Sequence, residues 1–391
     1  MAEKKSKKVL TKEEIMEQAI DDIRTKFGQG AIMRLGEKTV ENVEVIPTGV
    51  LPLDAALGVG GLPRGRIIEI FGQEGTGKTT LALHAIAEAQ KAGGNAAFID
   101  AEHALDPRLA AALGVNIDDL YLSQPDSGEQ ALSILETLVR SSAWDIVVVD
   151  SVAALTPKAE IDGNMGESPV GLQARLMSYG LRRLTAAISR SKCVVIFINQ
   201  LRAYISMNAY ASRGKPSETT AGGKALKFYT SVRIEVIRKG SISKGDEVIG
   251  HELNIKVVKN KLAPPFRSAH CSLIYGKGIP LTMSIIDMAL DAGILKRKGS
   301  WIAYKGDTLA QGKDKLSDFL DQNPQLIDEI RKAVLAEAAK GSGYINPKKK
   351  PSTVEEDEEE LTKTDTGVNV EDESIDLDIS DMENPNPDPE S

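Results

Sequence analysis

Gly72 to Thr79 reads Gly-Gln-Glu-Gly-Thr-Gly-Lys-Thr and fits Gly-x-x-x-x-Gly-Lys-Thr at every fixed position. Such a run wraps backbone N–H groups around phosphate, aided by the unpaired donors and positive dipole end of the helix that follows. Glycines 72, 75 and 77 allow the inward turn, Lys78 can reach the β- and γ-phosphates of ATP, and the Thr79 hydroxyl is a ligand for Mg²⁺. The nucleotide contacts expected here are Gly72, Gln73, Glu74, Gly75, Thr76, Gly77, Lys78, Thr79 and Thr80, with Asp106 added from the head of a later helix.

A phosphate cradle needs a second Mg²⁺ ligand and a group that activates water. Ile146 to Asp150 is an apolar run closed by an acid, so Asp150 is the expected second ligand. Phe98-Ile99-Asp100-Ala101-Glu102-His103 ends another apolar run in carboxylates. Glu102 is the candidate for polarising the attacking water, Asp100 competes for that role, and His103 is given none. Gln200 ends a third run, where an amide can bond the γ-phosphate and lose that bond on hydrolysis.

Two stretches suit a polyanion. Residues 201–224 carry Arg202, Arg213, Lys215 and Lys224 among Gly214, Gly222, Gly223, Tyr204 and Tyr210. Cations, aromatic faces and a flexible backbone suit single-stranded DNA, and a loop longer than twenty residues is rare without a function. Asp162 to Gly171 is Gly-rich and leads to Arg175, Arg182 and Arg183. Either stretch alone reads more readily as a mobile surface loop with solvated charges.

The elements that must position these groups alternate. A strand into Gly72 is followed by a helix over 81–91, a strand over 96–100, and a helix opened by Asp106 and Pro107. Strand 120–122, helix 128–140, strand 146–150, helix 172–190 and strand 193–199 continue the pattern. That pattern predicts a mostly parallel, doubly wound sheet with ligands at the strands' carboxyl ends. Residues 231–238, 248–260 and 269–275 are strands without helices between them, so the sheet extends as antiparallel strands. Ahead of the core, Thr11 and Glu14 form a capping box, and Ile15, Ala19, Ile23 and Phe27 stripe one helix face. Residues 43–46 read as a short strand and 58–65 as a tight connection. Beyond Pro280 a small module reads as helix 283–292, strand 301–305 and helix 326–340. The boundaries expected are 1–45 for an oligomerisation arm, 46–280 for the core, 281–345 for a small domain and 346–391 for a disordered tail.

The net charge of the 391 residues, −8, divides unevenly. Residues 353–391 hold 16 acids and one lysine, whereas residues 1–352 hold 47 basic against 40 acidic side chains. A basic body fits a polyanionic partner, with the tail as its competitor or only as a solubility aid. No run is long and apolar enough for a membrane helix, and the lysine-rich start lacks a secretion signal's apolar stretch, so a cytoplasmic protein without membrane contact is expected. Cys193 and Cys271 sit apart in apolar runs and read as buried, reduced fillers.

The P-loop, Asp-Ala-Glu-His-Ala-Leu-Asp-Pro (100–107), Val-Val-Val-Asp-Ser-Val-Ala-Ala-Leu (147–155), Phe-Ile-Asn-Gln-Leu-Arg (197–202) and Val-Val-Lys-Asn-Lys-Leu-Ala-Pro-Pro-Phe (257–266) occur in order. Together, over about residues 12–345, they closely resemble the bacterial RecA recombinase family. The resemblance implies an α/β fold: a RecA-type P-loop NTPase core with a mostly parallel doubly wound sheet extended by antiparallel strands, an N-terminal helix–strand arm and a small α+β C-terminal domain. It implies a homo-oligomeric helical filament on single-stranded DNA, ATP held between subunits, pairing with homologous double-stranded DNA, strand exchange, and activation of an SOS repressor's self-cleavage. It implies that Lys78, Thr79, Glu102, Asp150 and Gln200 hold the roles argued above. It also implies that Lys259 and Lys261 reach the neighbouring subunit's γ-phosphate, although by pattern alone they are alternating charges on an edge strand. The N-terminal helix would dock on the adjacent core.

Both loops would touch DNA, with Gly163, Gly166, Arg175, Arg202, Gly222 and Gly223 matching the family; Arg213 lies where the second loop is about five residues longer and differs. Pro169 and Val170 also differ. Leu109 stands where the family commonly has a tyrosine that stacks on adenine, so an aliphatic base contact is expected. A ring-forming motor of helicase or clock type on the same core would lack the Lys-Asn-Lys pair and the docking helix. A small-molecule kinase would need an arginine-bearing lid and an acceptor pocket, neither of which is found.

Overall fold

The computed structural model describes residues 11–34, 43–163, 171–204 and 217–341. The lysine-rich start and the acidic tail lie outside the described residues, as do Gly166, Pro169, Val170, Tyr210, Arg213, Gly214 and Lys215.

Reciprocal capping sets the first helix. The Thr11 hydroxyl accepts from the Glu14 N–H and the Glu14 carboxylate accepts from the Thr11 N–H, so α1 (Lys12–Phe27) starts at the predicted box and ends at Gly28. None of its residues is buried, and Ile15 and Phe27 are 55% and 68% exposed. A stripe this apolar left in water calls for a partner surface.

Between β1 (Val45–Ile46) and its antiparallel partner β2 (Leu62–Pro63) runs α2 (Leu51–Leu57), where the sequence reading had no helix and only a tight connection after it. Pro52 reads as a breaker, yet it falls in the first turn, where a missing N–H costs nothing.

From there the alternation holds: β3 (Ile67–Gly72), α3 (Lys78–Lys91), β4 (Ala96–Asp100), α4 (Pro107–Ala112), β5 (Leu120–Ser123), α5 (Gly128–Ser141), β6 (Ile146–Asp150), α6 (Lys158–Ile161), α7 (Leu172–Ser191) and β7 (Val194–Tyr204). Next come β8 (Ser217–Thr220), α8 (Ala225–Tyr229), β9 (Val232–Lys244), β10 (Glu247–Asn260) and β11 (Ser268–Ile274). The strand order is β11-β10-β9-β3-β7-β6-β4-β5, parallel from β9 through β5, with β10 and β11 added antiparallel. Successive strand residues serve opposite faces. Ile68, Ile70, Phe98, Val148 and Ile196 enter one core with α3, while Ile67, Ile99, Val147, Val149 and Phe197 enter the other with α5 and α7.

Three readings need correction. Residues 201–224 are not a single loop: β7 runs on to Tyr204 and pairs with β8, Leu201 facing Thr220, which makes the paired strands a stem. Lys259 lies on a strand that is interior over Gly250–Lys256, where β11 pairs with it, and that beyond this stretch pairs with β9 alone. The small module holds more than was read, namely α9 (Leu281–Asp291), a three-stranded sheet of β12 (Leu295–Lys298), β13 (Trp301–Tyr304) and β14 (Asp307–Gln311), then α10 (Lys313–Asp321) and α11 (Pro324–Gly341). Lys296, Arg297 and Lys298 face water and conceal a strand whose partner supplies the apolar Ile302 and Tyr304.

Cys193 and Cys271 are buried and unbridged, with burial pushing both thiols up to about 12. Among the described residues no helix is long and apolar enough to cross a membrane.

His84 ties α3 to the chain leaving β11, its Nε2 accepting from the Ile279 N–H at 3.0 Å. A protonated ring cannot accept there, and burial lowers the imidazole to about 4. The unfolded chain takes up the proton first as pH falls. The His84 contribution is therefore complete above about pH 6.5 and is lost on descent to about 4. His84→Gln is expected to flatten the fall of Tm over that interval; unaltered curvature would contradict the tie.

Candidate active site

The carboxyl ends of β3, β4, β6 and β7 bring the predicted chemistry together. After β3 the chain turns through Gly75 (φ +67°) and Gly77 (φ +88°), both left-handed, and Gly77 leads directly into α3. Gly72 has a different reason to be glycine: a Cβ there would stand 2.3 Å from the Val236 carbonyl oxygen of β9. That packing, rather than freedom to turn, holds the loop against the sheet.

Lys78 is 8% exposed, and its ammonium bends back to donate to the Gln73 carbonyl at 2.7 Å. Burial lowers its pKa, opposed by the negative charges of Asp150, Glu102 and Glu74. Thr79 donates to Asp150 Oδ2 at 2.7 Å, joining the two expected Mg²⁺ ligands. Burial raises the Asp150 carboxyl to about 6, with Glu102 and Asp100 adding to the rise. A hydroxyl and a desolvated carboxylate in a pocket of surplus negative charge fit a dication that takes its remaining ligands from phosphate and water. No cluster of three acidic, His or Cys side chains able to hold a metal unaided occurs among the described residues.

Glu102 Oε1 receives two donors, the Gln200 amide at 2.8 Å and the Ser151 hydroxyl. The rival Asp100 is 1% exposed, and its oxygens accept from Ala104 N, Leu105 N and the Gln124 amide, each at 3.2 Å. Asp100 thus braces the turn that carries Glu102. Ser151 and Gln124 escaped the sequence reading. Ser151 was visible as the residue directly after an apolar strand's terminal acid, whereas nothing in the local pattern marks Gln124.

Asp106 caps α4, accepts from Arg108 N at 2.8 Å and pairs with its guanidinium, which lowers the carboxyl. Leu109 packs in part against the first core, so only part of it is available to a base. His103 is exposed with φ +55°.

The stem formed by β7 and β8 starts one residue beyond Gln200. At its exit Gly222 and Gly223 are left-handed, and a Cβ would stand 2.8 Å from Val152 and 2.8 Å from Ala174 respectively. Packing of Gly222 against Val152, just after β6, and of Gly223 against α7 accounts for both glycines without any ligand. Arg175 is exposed in the first turn of α7, and Gly163 ends the described part of the first loop. Arg183 bridges to Glu136 at 2.8 Å, which removes it from the basic surface. Arg202 lies on β7.

Lys259 and Lys261 do not join the cradle. Lys259 pairs in register with Arg233, which faces Glu69, whereas the cradle begins at Gly72, opposite Val236. Three strand steps, roughly 10 Å, and the width of the intervening β9 separate them. The Lys259 ammonium donates to the Lys227 and Phe228 carbonyls at 2.6 and 3.2 Å, and Lys261 is exposed.

Comparison with known proteins gives two family matches, the RecA N-terminal domain over residues 14–280 and the RecA C-terminal domain over residues 283–339. Protein RecA of Bifidobacterium breve is 56% identical over 322 residues, covering 82% of this chain and 81% of the relative. Protein RecA of Caldanaerobacter subterraneus subsp. tengcongensis is 56% identical over 326 residues, covering 83% and 94%. For that of Thioalkalivibrio sulfidiphilus the figures are 57% over 317 residues, 81% and 91%. With both domains matched in order and this identity sustained over four fifths of its length, the chain belongs to the RecA family.

Proposed function

We propose that this chain is a DNA-dependent ATPase and recombinase of DNA repair. It polymerises with ATP into a filament on single-stranded DNA, pairs that strand with homologous duplex and exchanges strands. The observation that carries the reading is the contact between Gln200 and Glu102, one strand residue before the stem of the second loop. It joins a hydrolytic carboxylate to the element offered to DNA.

In this mechanism Lys78 exchanges the Gln73 carbonyl for the β- and γ-phosphates, while the N-terminus of α3 supplies N–H donors. Thr79 and Asp150 would hold Mg²⁺, which when bound neutralises charge on the β- and γ-phosphate oxygens. Glu102 orients the attacking water and accepts its proton. Gln200 leaves Glu102 for the γ-phosphate, and its return after hydrolysis releases the stem. Lys259 and Lys261, turned from their own cradle, serve the neighbour's. The stripe on α1 covers an adjacent core, and Gly163, Gly166, Arg175, Arg202, Arg213, Gly222 and Gly223 line the two DNA loops. A cytoplasmic filament that activates an SOS repressor's self-cleavage completes the proposal.

ATP turnover measured with and without single-stranded DNA tests it. Stimulation is expected, and an equal rate in both would sink the reading. Glu102→Gln is expected to keep ATP affinity while slowing turnover by about 10²; normal turnover would remove Glu102 as the water-orienting group.

A further inference from the structure

Glu69 interrupts an otherwise apolar central strand, and its side chain is wholly buried. A dry carboxylate is costly unless its oxygens are met. Both are: Arg233 Nε lies 2.5 Å from Oε2, and Asn199 Nδ2 donates to Oε1 at 2.9 Å. The same Asn199 nitrogen lies 3.1 Å from the Ala221 carbonyl, and its Oδ1 accepts from the Gln200 backbone N–H at 2.9 Å. One buried amide therefore holds the peptide of Gln200 and the last residue before Gly222-Gly223.

On the other flank, the Arg233 guanidinium lies 4.5 Å over the Phe71 ring and faces Lys259 in the strand register. Lys259 closes the circuit through the carbonyls at the end of α8, the short helix reached directly from Gly222-Gly223. Burial, then Lys261 and Arg233, lower the Lys259 ammonium, and Glu69 opposes them. An apolar set of similar volume would fill the space at least as cheaply. Stability alone does not call for these charges.

We infer that Glu69 is a positioning residue: through Asn199 and Arg233 it holds the Gln200 peptide, the exit of the DNA-loop stem and the Lys259 surface in one arrangement, so that a shift at Gln200 reaches both. The inference rests on the roles proposed above for Gln200 and Lys259. Glu69 touches no reacting atom and acts only through its two partners.

Glu69→Gln, Asn199→Ala and the double variant of the full chain are compared with the wild type for ATP turnover, with and without single-stranded oligothymidine. Each single variant is expected to keep the DNA-free rate and the KM for ATP within about twofold while its DNA-stimulated kcat falls about tenfold. The double variant is expected to lose less than the product of the two single losses, because the Glu69–Asn199 contact is common to both. Wild-type stimulation in either single variant, or losses that multiply in the double, would overturn the coupling. Should Glu69→Gln unfold in a thermal melt, Asn199→Ala retains the Glu69–Arg233 pair and decides alone, with undiminished stimulation counting against the inference. The wild type separates the two levels: a protein indifferent to DNA overturns the proposed function, whereas a stimulated wild type with stimulated variants overturns only the role of Glu69.

Discussion

Lys78→Ala is expected to lower DNA-stimulated ATP turnover by about 10³ and to abolish strand exchange, while the protein stays folded. The ammonium is the cradle's main positive charge, and the Gln73 carbonyl holds it in reserve. Burial has already stripped it of much of its water, so exchanging one oxygen for a phosphate oxygen requires little further desolvation. Alanine removes the charge and leaves the loop to Gly72, Gly75 and Gly77. Unchanged thermal unfolding together with lost nucleotide binding is the expected pair of results. Retained strand exchange would contradict the cradle.

A comparable loss, at least about 10³, is expected for Lys261→Ala, because a cation supplied in trans typically accounts for 10³–10⁵ of phosphoryl-transfer rate. The register makes this a test of architecture as well as chemistry. Lys261 follows a strand pair that leads away from the chain's own cradle, so under the proposed function its target is a neighbour's. A joint is then active when one subunit brings an intact cradle and the next an intact Lys261. Equal amounts of Lys78→Ala and Lys261→Ala, each inactive alone, should regain roughly a quarter of wild-type turnover when randomly mixed, as a head-to-tail interface requires. A mixture no better than its parts would place Lys261 outside the joint. Lys261 suits this experiment better than Lys259, whose ammonium is also tied to α8.

Strand ends and glycine spacing made much of the core legible from residues alone. The three acid- or amide-ended apolar runs of the sheet meet beside the glycine-ended β3 at one edge because parallel strands share a direction, and that direction is readable from alternation with helices. What stayed hidden depends on partners distant in sequence. Glu69 stood in plain view as a charge inside a central strand, but Asn199 and Arg233 lie 130 and 164 positions away. The stem of residues 201–204 and 217–220 was hidden because β8, Ser-Glu-Thr-Thr, lacks the apolar signal on which strand prediction rests. β12 was masked by three consecutive cations, and α2 by a proline in its first turn. That Asp100 is engaged by the backbone of residues 104–105 while Glu102 faces Gln200 is a matter of loop geometry that no spacing records.

β7 passes without interruption from the core through residue 200 and on to Tyr204. The strand end beside Glu102 and the stem are thus cut from one beam. A contact made at the stem, as the proposed function requires, would reach Gln200 along unbroken strand rather than through a joint.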